Sequence, residues 1–197
     1  MKRSPVCLLA ALSSIIPSVA LAHTGAHTSG FAHGFAHPIS GLDHVLAMVM
    51  VGLFAYQLGG RALWIVPLAF VSAMSVGGAL GLAGIGVPFI EIGIALSVVV
   101  LGALVASNAR TPVIAAVAMV GFFAIFHGYA HGAEMPANAA ALTYAIAFLI
   151  ATALLHLTGA ALGLGIDKAG QRTGSAFVRV AGAFGLVAGL GIFTGIL

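Results

Sequence analysis

The sequence predicts an all-α, polytopic membrane protein with about six transmembrane helices behind a cleaved signal peptide. Three observations carry that prediction. The 197 residues are 61% hydrophobic and only 6% charged, with a mean hydropathy of +1.19. A soluble domain is typically about a quarter charged, so a chain this apolar cannot cover itself with polar surface and needs lipid to cover it. Apolar runs recur along the whole chain, each close to the length that crosses a hydrocarbon core of about 30 Å at about 1.5 Å per residue. The 27 glycines suit such a bundle, because small residues let membrane helices approach closely where no hydrophobic force drives them together.

The first 22 residues read as a secretory signal. Met1-Lys2-Arg3 is a basic start, Val6 to Ile16 is apolar, and Ala20-Leu21-Ala22 is a small-residue cleavage site. Cleavage before His23 would remove Cys7, the only cysteine, and with it any thiolate ligand. Residues 23–40 then form a short His-rich leader with His23, His27, His33 and a tandem Phe-Ala-His repeat ending at His37. Nothing in it is periodic enough to read as a helix. A free amine on His23 beside its own imidazole would make a small chelate.

Six spans follow in a single domain over 23–197, near 41–58, 62–83, 88–107, 112–131, 138–165 and 175–196. The breaks between them are turn chemistry: Gly59-Gly60-Arg61, Gly84 to Pro88, Asn108 to Pro112, Gly132 to Asn138, and Asp167 to Thr173. G-x-x-x-G pairs at Gly77/Gly81, Gly159/Gly163, Gly185/Gly189 and Gly191/Gly195 read as packing surfaces.

Loop charge sets the orientation. Arg61 lies in the first loop, Arg110 in the third, and Lys168 and Arg172 in the fifth, with Arg179 just beyond, while the second and fourth loops carry no cation. Lys and Arg are retained on the cytoplasmic side. The odd loops therefore go inside, and the mature N-terminus faces the periplasm of a bacterial inner membrane. That places two polar knots at one outer level. His37, Asp43 and His44 stand at the start of the first span, and His127, His131 and Glu134 at the end of the fourth.

Ionisable groups inside a span are expensive and mark pathways or ligand sites. His127 and His131 are four apart, which puts both rings on one helix face, a spacing able to chelate one ion. Asp43 has two readings. Ser40-Gly41-Leu42-Asp43 fits a capping box with Ser40 as N-cap, and a carboxylate beside His44 also suits a borderline divalent ion. Nitrogen ligands favour Ni²⁺, Co²⁺, Cu²⁺ or Zn²⁺ over Mg²⁺ or Ca²⁺. The metal set expected is His37, Asp43, His44, His127 and His131, with His23, Glu134, Glu91 and His156 as accessories. Met48, four residues after His44, reads as packing. Neither a catalytic residue nor an organic cofactor is expected, and no basic stripe points to nucleic acid. The expected partners are a divalent metal ion and the lipid bilayer, with room for a homo-oligomer.

Two motifs carry a resemblance. His37-Pro38-x-x-Gly41-x-Asp43-His44-x-Leu46-Ala47-Met48-x-x-Val51-Gly52 and Phe126-His127-Gly128-Tyr129-Ala130-His131-Gly132-x-Glu134-x-Pro136 resemble the signatures of the HupE/UreJ family of nickel and cobalt transporters. The related NiCoT permeases carry a four-residue gap between histidine and Asp-His, whereas five residues separate His37 from Asp43 here. The resemblance implies import of Ni²⁺ or Co²⁺ for a hydrogenase, urease or cobalamin pathway. It implies metal contacts at His37, Asp43, His44, His127 and His131. The competing expectations are an intramembrane zinc hydrolase and a metal-binding accessory subunit. Imidazole must be neutral to hold an ion, so uptake through these histidines is expected to fall as external pH drops through about 6.5, where free imidazole titrates. Uptake that stays level well below that pH counts against histidine ligands.

Overall fold

The computed structural model describes residues 30–135, 141–168 and 171–197. The signal segment, His23 and His27 lie outside the described residues. Seven helices and no strand occur among those described: α1 Gly30–Ser40, α2 Leu42–Leu58, α3 Ala62–Leu82, α4 Ile90–Ser107, α5 Val113–Ala133, α6 Ala141–Lys168 and α7 Gln171–Phe193. Five helices are long and apolar enough to cross a membrane alone. The pair α1 and α2 passes only together, bent by 80° at Gly41. By itself α2 has 17 residues, about 25 Å at 1.5 Å per residue, slightly short of a full core.

Helix α1 corrects the expectation of an irregular leader. Two glycines and a proline make its local helix propensity poor, but tertiary packing supplies what propensity lacks. Gly34 and Pro38 form its buried face, and Gly34 lies against the backbone of Tyr144 in α6, where a Cβ would strike the carbonyl. The capping box is a second correction. Gly41 is the N-cap of α2 and makes no side-chain cap, while Ser40 belongs to α1 and donates its hydroxyl to the His37 carbonyl at 2.6 Å. The turn at Gly41 puts Ser40 on the wrong helix to cap the next one.

Three helix pairs are seamed by glycine. Gly77 and Gly81 of α3 meet the backbone of α5 at Ile125 and Tyr129, and Gly128 and Gly132 of α5 return the contact at Met74 and Gly78. Gly52 of α2 and Gly159 of α6 face each other, and Gly163 packs on the Tyr56 ring. Gly102 of α4 meets Gly185 and Leu186 of α7, while Gly182 and Gly189 sit against Val105 and Val98. The pairings run parallel for α2 with α6 and α3 with α5, and antiparallel for α4 with α7, as alternating spans require. Gly191 and Gly195 depart from the expected packing role. The nearest neighbours of Gly191 are atoms of the Leu197 side chain, and Gly195 forms a turn at φ +71°.

The outward faces are apolar, with Trp64, Leu68, Ile114, Leu142 and Val187 all more than 60% exposed. Met48 is fully buried in the core with Phe54, Phe70 and Met74, as packing requires. Arg61 and Arg110 stand at the end of the bundle opposite the histidines, where Arg179 donates to the Ala106 carbonyl at 2.9 Å. Gly102→Val would drive a methyl group into the α7 backbone and is expected to destabilise the protein by about 1–3 kcal/mol. Gly86→Val, with nothing within 4 Å of its added carbon, is expected to be neutral. Thermal unfolding of the detergent-solubilised protein compares the two.

Candidate functional site

The bend at Gly41 aims α1 across the top of the bundle and brings His37 over the last turn of α5. His37 Nε2 lies 3.0 Å from Glu134 Oε2. With the buried His131 they form a group whose ligand atoms all lie within 4.8 Å of one another. A nitrogen–oxygen separation near 3 Å serves a hydrogen bond. It is also the edge expected between neighbouring ligands at bond lengths of about 2.1 Å. Glu134 is 62% exposed in its side chain, so this group opens on the exterior. His33, one turn before His37, stacks edge-on to it with centroids 5.8 Å apart.

A second group lies just beneath. The His44 ring is 4.2 Å from that of His131 and 4.9 Å from that of His127, centroid to centroid. Asp43 folds back over the start of α2, where its Oδ1 accepts from the His44 backbone N–H at 2.8 Å and from His44 Nδ1–H at 2.9 Å. Gly41 makes room for this pair, because a Cβ there would come within 2.8 Å of the carboxylate. Asp43 thus satisfies an early helix donor and holds an imidazole at once. His127, four residues before His131 on the same face of α5, is fully buried, and its Nε2 lies 2.8 Å from Ser97 Oγ of α4. Deeper still, the Phe70 ring stands 5.6 Å from His127 and 4.9 Å from His156.

Seven buried side-chain atoms lack a protein partner among the described residues, and six are imidazole nitrogens: His44 Nε2, His127 Nδ1, and both nitrogens of His131 and His156. An orphaned buried polar atom costs about 1–3 kcal/mol. Packing alone would have favoured leucines. A set of neutral nitrogens with free lone pairs, bordered by two carboxylates, suits a borderline divalent cation.

Of the residues singled out from sequence, His37, His44, His127 and His131 come together, Glu134 joins them, and Asp43 stands behind His44. His156 lies past Phe70. Glu91 is exposed in the first turn of α4 and outside both groups. His23 lies outside the described residues. Sequence reasoning missed Ser97, although it is the sole polar residue of α4 between Glu91 and Ser107. It also missed Tyr144 and Phe148, whose rings close around His37 and His131; aromatic residues in an apolar span carry no signal of their own.

The family described as HupE / UreJ protein matches residues 10–192 of this chain. The chain is 48% identical over 188 residues to Protein HupE of Rhizobium leguminosarum bv. viciae, covering 95% of each. No solved structure matches.

His156→Leu tests whether the deepest imidazole is structural. Replacing an unpartnered polar ring by an apolar side chain is expected to leave thermal stability unchanged or raise it by about 1 kcal/mol. A loss of stability would mean that His156 is held by contacts its neighbours need.

Proposed function

The chain belongs to the HupE/UreJ family, and on that premise we propose that it is a permease importing Ni²⁺ or Co²⁺ across a bacterial inner membrane. The observation that carries this reading is the file of unpartnered imidazole nitrogens leading from the exposed His37–Glu134 pair to His156 inside the bundle. The positive-inside rule puts Arg61 and Arg110 in the cytoplasm and His37 and Glu134 in the periplasm. The ion would be collected between His37, Glu134 and His131, where three ligands replace part of its water. His131 borders both groups, so the ion can pass to His44 and His127 before it has lost all its first ligands. His156 is the next nitrogen on the way in.

The small number of ligands at each stage favours transit. Structural zinc sites close with four protein ligands, and a site of two or three ligands leaves positions open for an ion to exchange. The mixed nitrogen and carboxylate set accepts both Ni²⁺ and Co²⁺, and geometry would have to choose between them. Asp43 contributes by holding His44, with direct ligation through its second oxygen a further role.

Uptake of radioactive nickel or cobalt into proteoliposomes tests the reading. Metal-dependent flux is expected for the wild type, with a near-complete loss in His44→Ala and His127→Ala and normal membrane insertion of both. His156→Leu is expected to bind the ion at the outer group and yet pass little of it. Correctly oriented wild-type protein that moves no metal would sink the proposal.

A further inference from the structure

Ser97 is fully buried in α4 and touches His127, yet it offers no ligand atom of the usual kind. Its hydroxyl has two neighbours, the Ile94 carbonyl at 2.6 Å and His127 Nε2 at 2.8 Å. A hydroxyl carries one proton and two lone pairs, whereas a carbonyl can only accept. The short contact to Ile94 therefore takes the Ser97 proton, in the back-bond that serine commonly makes to a preceding turn. Without that proton the contact would set two oxygen lone pairs against each other at 2.6 Å. The Ser97 oxygen is left as an acceptor, so His127 Nε2 must bring a hydrogen. Ser97 and His127 are both 0% exposed, and bulk water cannot reach either to change the arrangement.

We propose that Ser97 is a positioning residue that fixes His127 as its Nε2–H tautomer and thereby makes Nδ1 the nitrogen presented to the ion. His127 Nδ1 is buried and has no partner among the described residues. The neighbouring ring is set the opposite way. Asp43 Oδ1 accepts two hydrogen bonds from His44, so His44 Nδ1 carries the hydrogen and Nε2 is the free lone pair. Two adjacent rings, with centroids 4.9 Å apart, thus stand in opposite tautomers, each with one nitrogen bare. The partners also differ in strength. A carboxylate makes its imidazole a better donor to metal, while a neutral hydroxyl fixes the tautomer with less added basicity. His127 is accordingly the weaker ligand of the pair and the one from which an ion leaves more easily.

The proposal rests on the metal-permease reading for its purpose, but not for its first test. Histidine-labelled, metal-free protein in nanodiscs gives ¹⁵N spectra in which couplings to the ring protons separate Nδ1 from Nε2. The His127 signals are identified by their loss in His127→Asn. A protonated Nε2 and a bare Nδ1 are expected, and a protonated Nδ1 would overturn the proposal. Co²⁺ titration followed by visible absorption is the second test. Ser97→Ala is expected to weaken binding by about 10- to 100-fold, the range found when a partner behind a metal-ligating histidine is removed. Ser97→Thr, which keeps the hydroxyl, is expected to restore most of it. Wild-type affinity in Ser97→Ala, or a loss that Ser97→Thr does not repair, would overturn it. Wild-type protein that binds no Co²⁺ would instead sink the permease reading, and the metal-free spectra still decide the tautomer.

Discussion

Inside a bilayer no solvent satisfies a buried polar atom, so every such atom must find its partner within the protein or within what the protein binds. Among the described residues this bundle buries four imidazoles and leaves six of their nitrogens without a protein partner. The rest of the architecture can be understood from that constraint. Glycine seams bring α3 onto α5 and α2 onto α6 at backbone contact, and His127 and His156 are almost completely buried within the bundle so formed. Aromatic rings crowd three of these imidazoles as well, Phe70 against His127 and His156 and Phe148 against His131.

The way the chain enters the membrane is part of the same solution. A straight first span would have carried His37 out beyond the end of α5. The 80° bend at Gly41 lays α1 over that end, and Gly34 and Pro38 hold it there against α6. Gly41 serves a second need at the same point, since only a residue without a side chain leaves space for Asp43 to fold back onto His44. One glycine therefore positions both the outer histidine and the carboxylate that orients the inner one.

Much of this was legible in the sequence. Spans in a bilayer are written in long apolar runs and turn residues, and the boundaries near 62, 107 and 133 follow from Arg61, Asn108 and Gly132 to within a residue or two. The meeting of the two polar knots follows from helix parity. What was not legible depends on contacts across the fold. Helix α1 mixes glycine, alanine, phenylalanine and histidine with a proline near its end, and packing against α6 supplies what local propensity lacks. Ser40 looked like a cap because sequence does not reveal that the chain turns after it. Ser97 is an isolated hydroxyl midway along an apolar helix. Its meaning comes from lying opposite His127, thirty positions away in the chain.

Asp43 shows how geometry separates roles that composition leaves merged. From sequence its carboxylate could cap α2 or hold an ion. In the fold, one of its oxygens takes both a backbone N–H and the His44 ring N–H, which does part of the first task and prepares the second. His37 and Glu134, by contrast, offer their donor atoms to each other at 3.0 Å in an exposed setting, where breaking that contact costs little because water screens both groups. The outer pair is therefore easily opened, and the inner pair is oriented by its partners. Among the described residues His131 is buried beside both and bonded to neither, so its two nitrogens border the two groups. On the proposed permease reading, an ion held first by a loose pair and then by a fixed one would meet increasing order on its way inward, and the shared ring would let it make that change without passing through a state stripped of ligands.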